Sequence, residues 1–117
     1  MLEKDVKDKV KAIVAAAGKI VPRYTMCPMT FGYGESGHPD RLLYINGHLL
    51  GIECKKDGNT SLLRPELKAT SSERAQKHRL REITEAGGIS IVVHSCNLKQ
   101  FKALLEKIIN HKISVKV

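Results

Sequence analysis

Asn46-Gly47 lies between two β-rich runs, Arg41–Ile45 and His48–Lys55, and no other feature of the chain restricts the fold so tightly. Asn and Gly tolerate the backbone of a two-residue turn whose twist matches the strands it joins, so the pair specifies a β-hairpin. Such a turn also fixes the register. Ile45 then pairs with His48, Tyr44 with Leu49, Leu43 with Leu50, Leu42 with Gly51 and Arg41 with Ile52. One step further out, Asp40 meets Glu53. Lys55 projects from the Glu53 face, and Cys54 points the other way, toward the core.

Directly opposed side chains stand about 4.5–5.5 Å apart at Cβ, where like charges are destabilising. Two arrangements relieve an opposed Asp40–Glu53 pair. Either a proton is shared at a raised pKa, or a divalent cation sits between the carboxylates. Mg²⁺ takes one or two carboxylates plus waters and phosphate oxygens. A lysine beside that ion is suited to orienting a water nucleophile or neutralising charge on the transition state. The constellation points to metal-assisted phosphodiester hydrolysis. The plain structural alternative is a solvated rim of charge at a strand end.

Around the hairpin, Val6, Val10, Ile13, Val14 and Ala17 recur at helical spacing over Leu2–Ala17, with Gly18 as the stop. Lys19–Tyr24 reads as a short edge strand, because Pro22 cannot donate to a central ladder. Thr25–Pro39 reads as a loop, from which Met26 and Met29 pack on the core. Asp57–Thr70 is a polar connector. Thr70 and Glu73 have capping-box spacing before a helix in which Ala75, Leu80, Ile83 and Ala86 follow, ended by Gly87-Gly88. Ile89–His94 reads as a continuous strand of the buried kind. Asn97 caps a last helix, Leu98–Asn110, with Phe101, Leu104, Leu105 and Ile108 inward. Ile113–Val117 alternates and is read as an edge strand or a partner contact. The order predicts one α/β domain over residues 1–117, a mixed sheet with helices on both faces.

A formal net charge of +8 favours a polyanionic partner, nucleic acid before others. Cys27, Cys54 and Cys96 form no CxxC pair, so neither a zinc ribbon nor a disulfide framework is indicated. His48, His78, His94 and His111 lack metal-cluster spacing. The first ten residues have no apolar h-region, and no apolar run approaches the roughly 20 residues that span a bilayer. An intracellular, soluble protein is expected.

Pro39-Asp40, the hairpin and Glu53-Cys54-Lys55 resemble the PD-(D/E)xK nuclease pattern. More specifically, the chain resembles the VRR-NUC (virus-type replication-repair nuclease) domain. Gly37-His-Pro-Asp40, Asn46-Gly-His-Leu-Leu-Gly-Ile-Glu53, Ser72-Glu-Arg-Ala-Gln76 and Glu85-Ala-Gly-Gly88 ahead of an apolar strand carry the likeness, which runs from Glu3 to about Leu105. It implies a restriction-endonuclease-like α/β/α core and an endonuclease that uses Mg²⁺ or Mn²⁺. Asp40 and Glu53 would be metal ligands, with the Cys54 carbonyl as a further one, and Lys55 the catalytic lysine. Glu3 and Gln76 fall where such domains place an acid and a glutamine; otherwise Glu3 is a helix-dipole residue and Gln76 helix surface. His38 replaces a small or β-branched residue and is read as a loop filler. Backbone contacts would come from Lys56, Arg64, Lys68, Arg74, Lys77 and Arg81. Single-domain relatives resemble Holliday-junction-type nucleases working as homodimers, so branched DNA, a dimer and a phage-encoded protein in a bacterial cytoplasm are implied.

Overall fold

The computed structural model describes residues 1–28, 36–56 and 59–111. Strands β1 (Arg23–Met26), β2 (Arg41–Ile45), β3 (His48–Cys54) and β4 (Ile89–Val93) lie in that order in one sheet, with helices α1 (Glu3–Gly18), α2 (Ser71–Glu85) and α3 (Leu98–Ile109). β1, β2 and β3 are antiparallel neighbours, whereas β3 and β4 run parallel. Parallel neighbours require a crossover, which α2 supplies.

The hairpin has the register its turn dictates, from Ile45 opposite His48 to Arg41 opposite Ile52. Asn46 and Gly47 adopt φ of 51° and 86°, the left-handed region the turn requires. The Asn46 side-chain amide also donates to the carbonyls of Ile108 and Ile109, at 2.7 and 2.9 Å. The hairpin tip is thereby tied to the last turn of α3, where the Ile108 carbonyl also accepts the His111 N–H at 3.1 Å.

Strand alternation divides the sheet into two faces. Leu43, Ile45, Leu50, Ile52 and Cys54 join Val6, Val10 and Val14 of α1 and Phe101, Leu105 and Ile108 of α3 in the buried core. On the other face α2 covers β3 and β4. There a Cβ on Gly51 would stand 2.5 Å from Ile83 Cδ1, and the Ser90 hydroxyl donates to the Leu80 carbonyl at 2.5 Å. Farther along that face, Tyr24 and Tyr44 remain exposed with ring centroids 6.3 Å apart. The result is a mixed α/β fold of four strands and three helices among the described residues. No described helix is long and apolar enough to cross a membrane.

Several local expectations shift. The first strand begins after Pro22 rather than spanning it, because Lys19, Ile20 and Val21 donate back to α1 carbonyls and finish the helix in a turn. Thr25 and Met26 therefore belong to β1, and Met26 is 43% exposed instead of packed inward. β4 lies at the edge of the described sheet, so only Val93 of its five residues is fully buried. Asn97 stands at the N-cap of α3, but its side chain braces β4 instead, accepting from His94 N–H and donating to the Val92 carbonyl, both at 2.8 Å. Met29, most of the Gly32–Gly37 loop and the Ile113–Val117 tail lie outside the described residues.

Candidate active site

The open end of the hairpin gathers the expected side chains. Asp40, immediately before β2, is pinned from below: its Oδ2 accepts the Cys54 backbone N–H at 2.7 Å. Glu53, the penultimate residue of β3, points to the α2 side and is only 3% exposed. Its Oε2 has no hydrogen-bond partner among the described residues. A buried carboxylate oxygen without a partner is costly as an anion. Burial first, then a hydrogen bond with Asp40 and the charge of Asp40, push the Glu53 pKa up to about 9. Lys55 pulls it back, and Glu3 adds slightly to the rise. Glu53 is therefore shifted toward its protonated form beside Asp40.

Lys55 leaves the end of β3 with its backbone N–H bonded to the Val93 carbonyl at 2.9 Å. Its Nζ donates to Gln76 Oε1 at 3.3 Å. Gln76 lies on the sheet-facing side of α2, so helix and strand together orient the lysine. Cys54 sends its thiol into the core, where burial, then the charges of Asp40 and Glu53, push its pKa up to about 12. A thiol so placed stays neutral and is no nucleophile.

Glu3, the first residue of α1, is linked to this group through Lys7, which sequence reasoning missed. Lys7 Nζ lies 3.5 Å from Glu3 Oε2 and 3.4 Å from Asp40 Oδ1. The signal was present: Lys7 is four residues after Glu3, on the same helical face. Burial works to lower the Lys7 pKa, but Asp40 and Glu3 outweigh it and raise it.

The connector before α2 is anchored as well as polar. Thr60 and Ser61 are buried, and Glu73 holds them. The Glu73 carboxylate accepts from the Thr60 hydroxyl, from Ser61 N–H at 3.2 Å and from Thr70 N–H at 2.9 Å. The capping box therefore doubles as an anchor for the connector, and these hydrogen bonds, led by that from Thr60, lower the Glu73 pKa to about 2. Beside it, a cavity of about 440 Å³ is lined by Glu3, Lys55, Lys56, Asn59, Thr60 and Glu73.

The expected backbone-contact cations are more dispersed. Lys56 lines that cavity, and Arg64 is paired with Glu66 at 2.8 Å on the exposed connector that also carries Lys68. Arg74, Lys77 and Arg81 follow one another at three- and four-residue steps along α2. His38 is exposed beside Asp40, on the wall of a second cavity.

Among the described residues no three His, Cys, Asp or Glu side chains are grouped closely enough to enclose a metal ion by themselves. The donor set nonetheless fits a hard cation of the Mg²⁺ type, which takes one or two carboxylates and keeps several waters. Asp40 and the unpartnered Oε2 of Glu53 are such oxygens. No family model, curated protein or solved structure matches the chain.

Proposed function

We propose that the chain is a Mg²⁺- or Mn²⁺-dependent DNA endonuclease of VRR-NUC type on a restriction-endonuclease-like core, hydrolysing phosphodiester bonds at the open end of the hairpin. The observation that carries this reading is the buried Glu53 carboxylate, one oxygen without a partner, beside Asp40 and two residues before Lys55. Asp40 and Glu53 would hold the cation, with the Cys54 carbonyl and Glu3 as further ligands. The bound cation supplies charge stabilisation at the phosphoryl oxygens and lowers the pKa of bound water. Asp40 is held for this role by the Cys54 amide, and Lys55 by Gln76. The Lys55 side chain then either orients the attacking water or neutralises charge developing at phosphorus.

The substrate proposed is branched DNA such as a Holliday junction, bound by a homodimer in a bacterial cytoplasm, with the protein phage-encoded. The net charge of +8 supports a polyanion. Lys56, Arg64, Lys68, Arg74, Lys77 and Arg81 would contact its backbone. The test is cleavage of a labelled four-way junction beside a matched linear duplex, with Mg²⁺, Mn²⁺ or EDTA. Metal-dependent nicking of the junction, lost in Asp40→Ala and Lys55→Ala, is expected. Tight binding without cutting in either metal would refute the enzyme.

One observation favours a second reading, a nucleic-acid-binding module without chemistry. Lys7 already pairs with Asp40 and Glu3, so part of the acid charge is offset without a metal. Such a module would bind DNA in EDTA and be indifferent to Asp40→Ala.

A further inference from the structure

Both oxygens of Asp40 are engaged. Oδ2 accepts the Cys54 amide at 2.7 Å, and Oδ1 faces Lys7 Nζ at 3.4 Å. The contact of Lys7 with Glu3 is an ordinary pair one helical turn apart. The contact with Asp40 is different, since it crosses from α1 to the start of β2 and places a positive charge on an expected metal ligand. Nothing rigid keeps it there. The Lys7 side chain is 45% exposed, has four rotatable carbons and borders a cavity of about 360 Å³ that also meets His38, Asp40 and Arg41. It has both the freedom and the space to leave.

A divalent ion ligated by Asp40 would stand within a few ångströms of that ammonium, where like charges repel strongly. The ion would also compete with the ammonium directly for the Asp40 Oδ1 that Lys7 Nζ now faces at 3.4 Å.

We propose that Lys7 is an exchangeable counter-ion, which neutralises Asp40 and Glu3 in the metal-free protein and is displaced when a divalent cation binds there. The proposal rests on the reading of Asp40 and Glu53 as a metal centre. It reconciles that reading with the partly offset acid charge, since the lysine that pairs with Asp40 also sets the threshold for metal binding. Linkage makes the competition reciprocal: whatever the ammonium gains at Asp40 the ion must overcome. A coupling of ordinary size corresponds to a change on the order of tenfold in metal affinity.

The experiment is a Mn²⁺ titration of the metal-free protein, read by loss of the free-ion EPR signal. Wild type is compared with Lys7→Met, which keeps the aliphatic stem, Lys7→Arg, which keeps the charge, and Lys9→Met, which removes a charge from another face of α1. Lys7→Met is expected to bind Mn²⁺ about tenfold more tightly, with Lys7→Arg near wild type and Lys9→Met within about twofold. Equal or weaker binding by Lys7→Met would overturn the proposal while leaving the metal centre standing. Binding that is absent throughout, or that survives Asp40→Asn, would remove the metal centre and the proposal together. A second measurement needs no variant: Mg²⁺ titration of the wild type should shift the Lys7 Cε–Hε NMR signal with the same midpoint as metal binding. An unmoved signal at saturation would overturn the exchange.

Discussion

Replacing Glu53 by Gln should change how stability depends on pH. Burial and Asp40 push the Glu53 pKa from its ordinary 4.5 to about 9 in the folded protein. Between those values the folded chain holds a proton that the unfolded chain has released. Stability from this group is therefore complete below about 4.5 and is lost progressively as pH rises toward 9. One proton's worth of linkage gives a slope of at most about 1.4 kcal/mol per pH unit. For a chain of 117 residues, whose unfolding entropy near Tm is about 0.25 kcal/mol/K, that corresponds to roughly 5 °C per pH unit. The assay is thermal melting by circular dichroism in EDTA from pH 5 to pH 9, with wild type and Glu53→Gln side by side. Repulsion from the global positive charge is nearly common to both proteins and largely cancels in the difference. Wild type should lose stability relative to Glu53→Gln as pH rises. Saturating Mg²⁺ should flatten the wild-type slope, because a cation at the carboxylate favours its charged form. Parallel curves in EDTA, or a wild type that gains relative stability with pH, would refute the reasoning about Glu53.

Other substitutions test other parts of the structure. Lys55→Ala should lower the single-turnover cleavage rate by about a hundredfold or more, without weakening Mn²⁺ binding, because the lysine acts on the reacting phosphate and not as a ligand. Gly37→Ala should cost more than about 2 kcal/mol in urea unfolding: Gly37 has φ of 83°, and a Cβ there would run into the Ala75 backbone. Asn46→Ala should cost about 1–3 kcal/mol in the same assay, since it removes the left-handed turn preference and two hydrogen bonds to the end of α3.

The parts of the structure legible in the sequence were those fixed locally. Asn46-Gly47 determined a turn, and the turn determined a register out to Arg41 opposite Ile52, which leaves Asp40 beside Glu53 and Cys54 at the open end. Thr70 with Glu73, and Gly87 with φ of 95°, marked the ends of α2 in the same way. What stayed hidden depends on contacts between distant segments. Asn97 satisfies every sequence criterion for a helix cap, yet two backbone groups at the end of β4 compete for its amide and win. Ile89–Val93 is apolar enough for a central strand, but composition cannot say whether another strand lies beyond it. Lys7 pairs with Glu3 by simple helical spacing; that it also reaches Asp40 follows only from how α1 crosses the start of β2.

The central claim is that Asp40 and Glu53 form a metal centre, and the most direct measurement is anomalous diffraction at the manganese edge from crystals grown with Mn²⁺. A peak is expected at the Asp40 and Glu53 carboxylates, with Lys7 Nζ moved away from Asp40 Oδ1. A fully ordered site without a peak, with Lys7 Nζ still on Asp40 Oδ1, would contradict it.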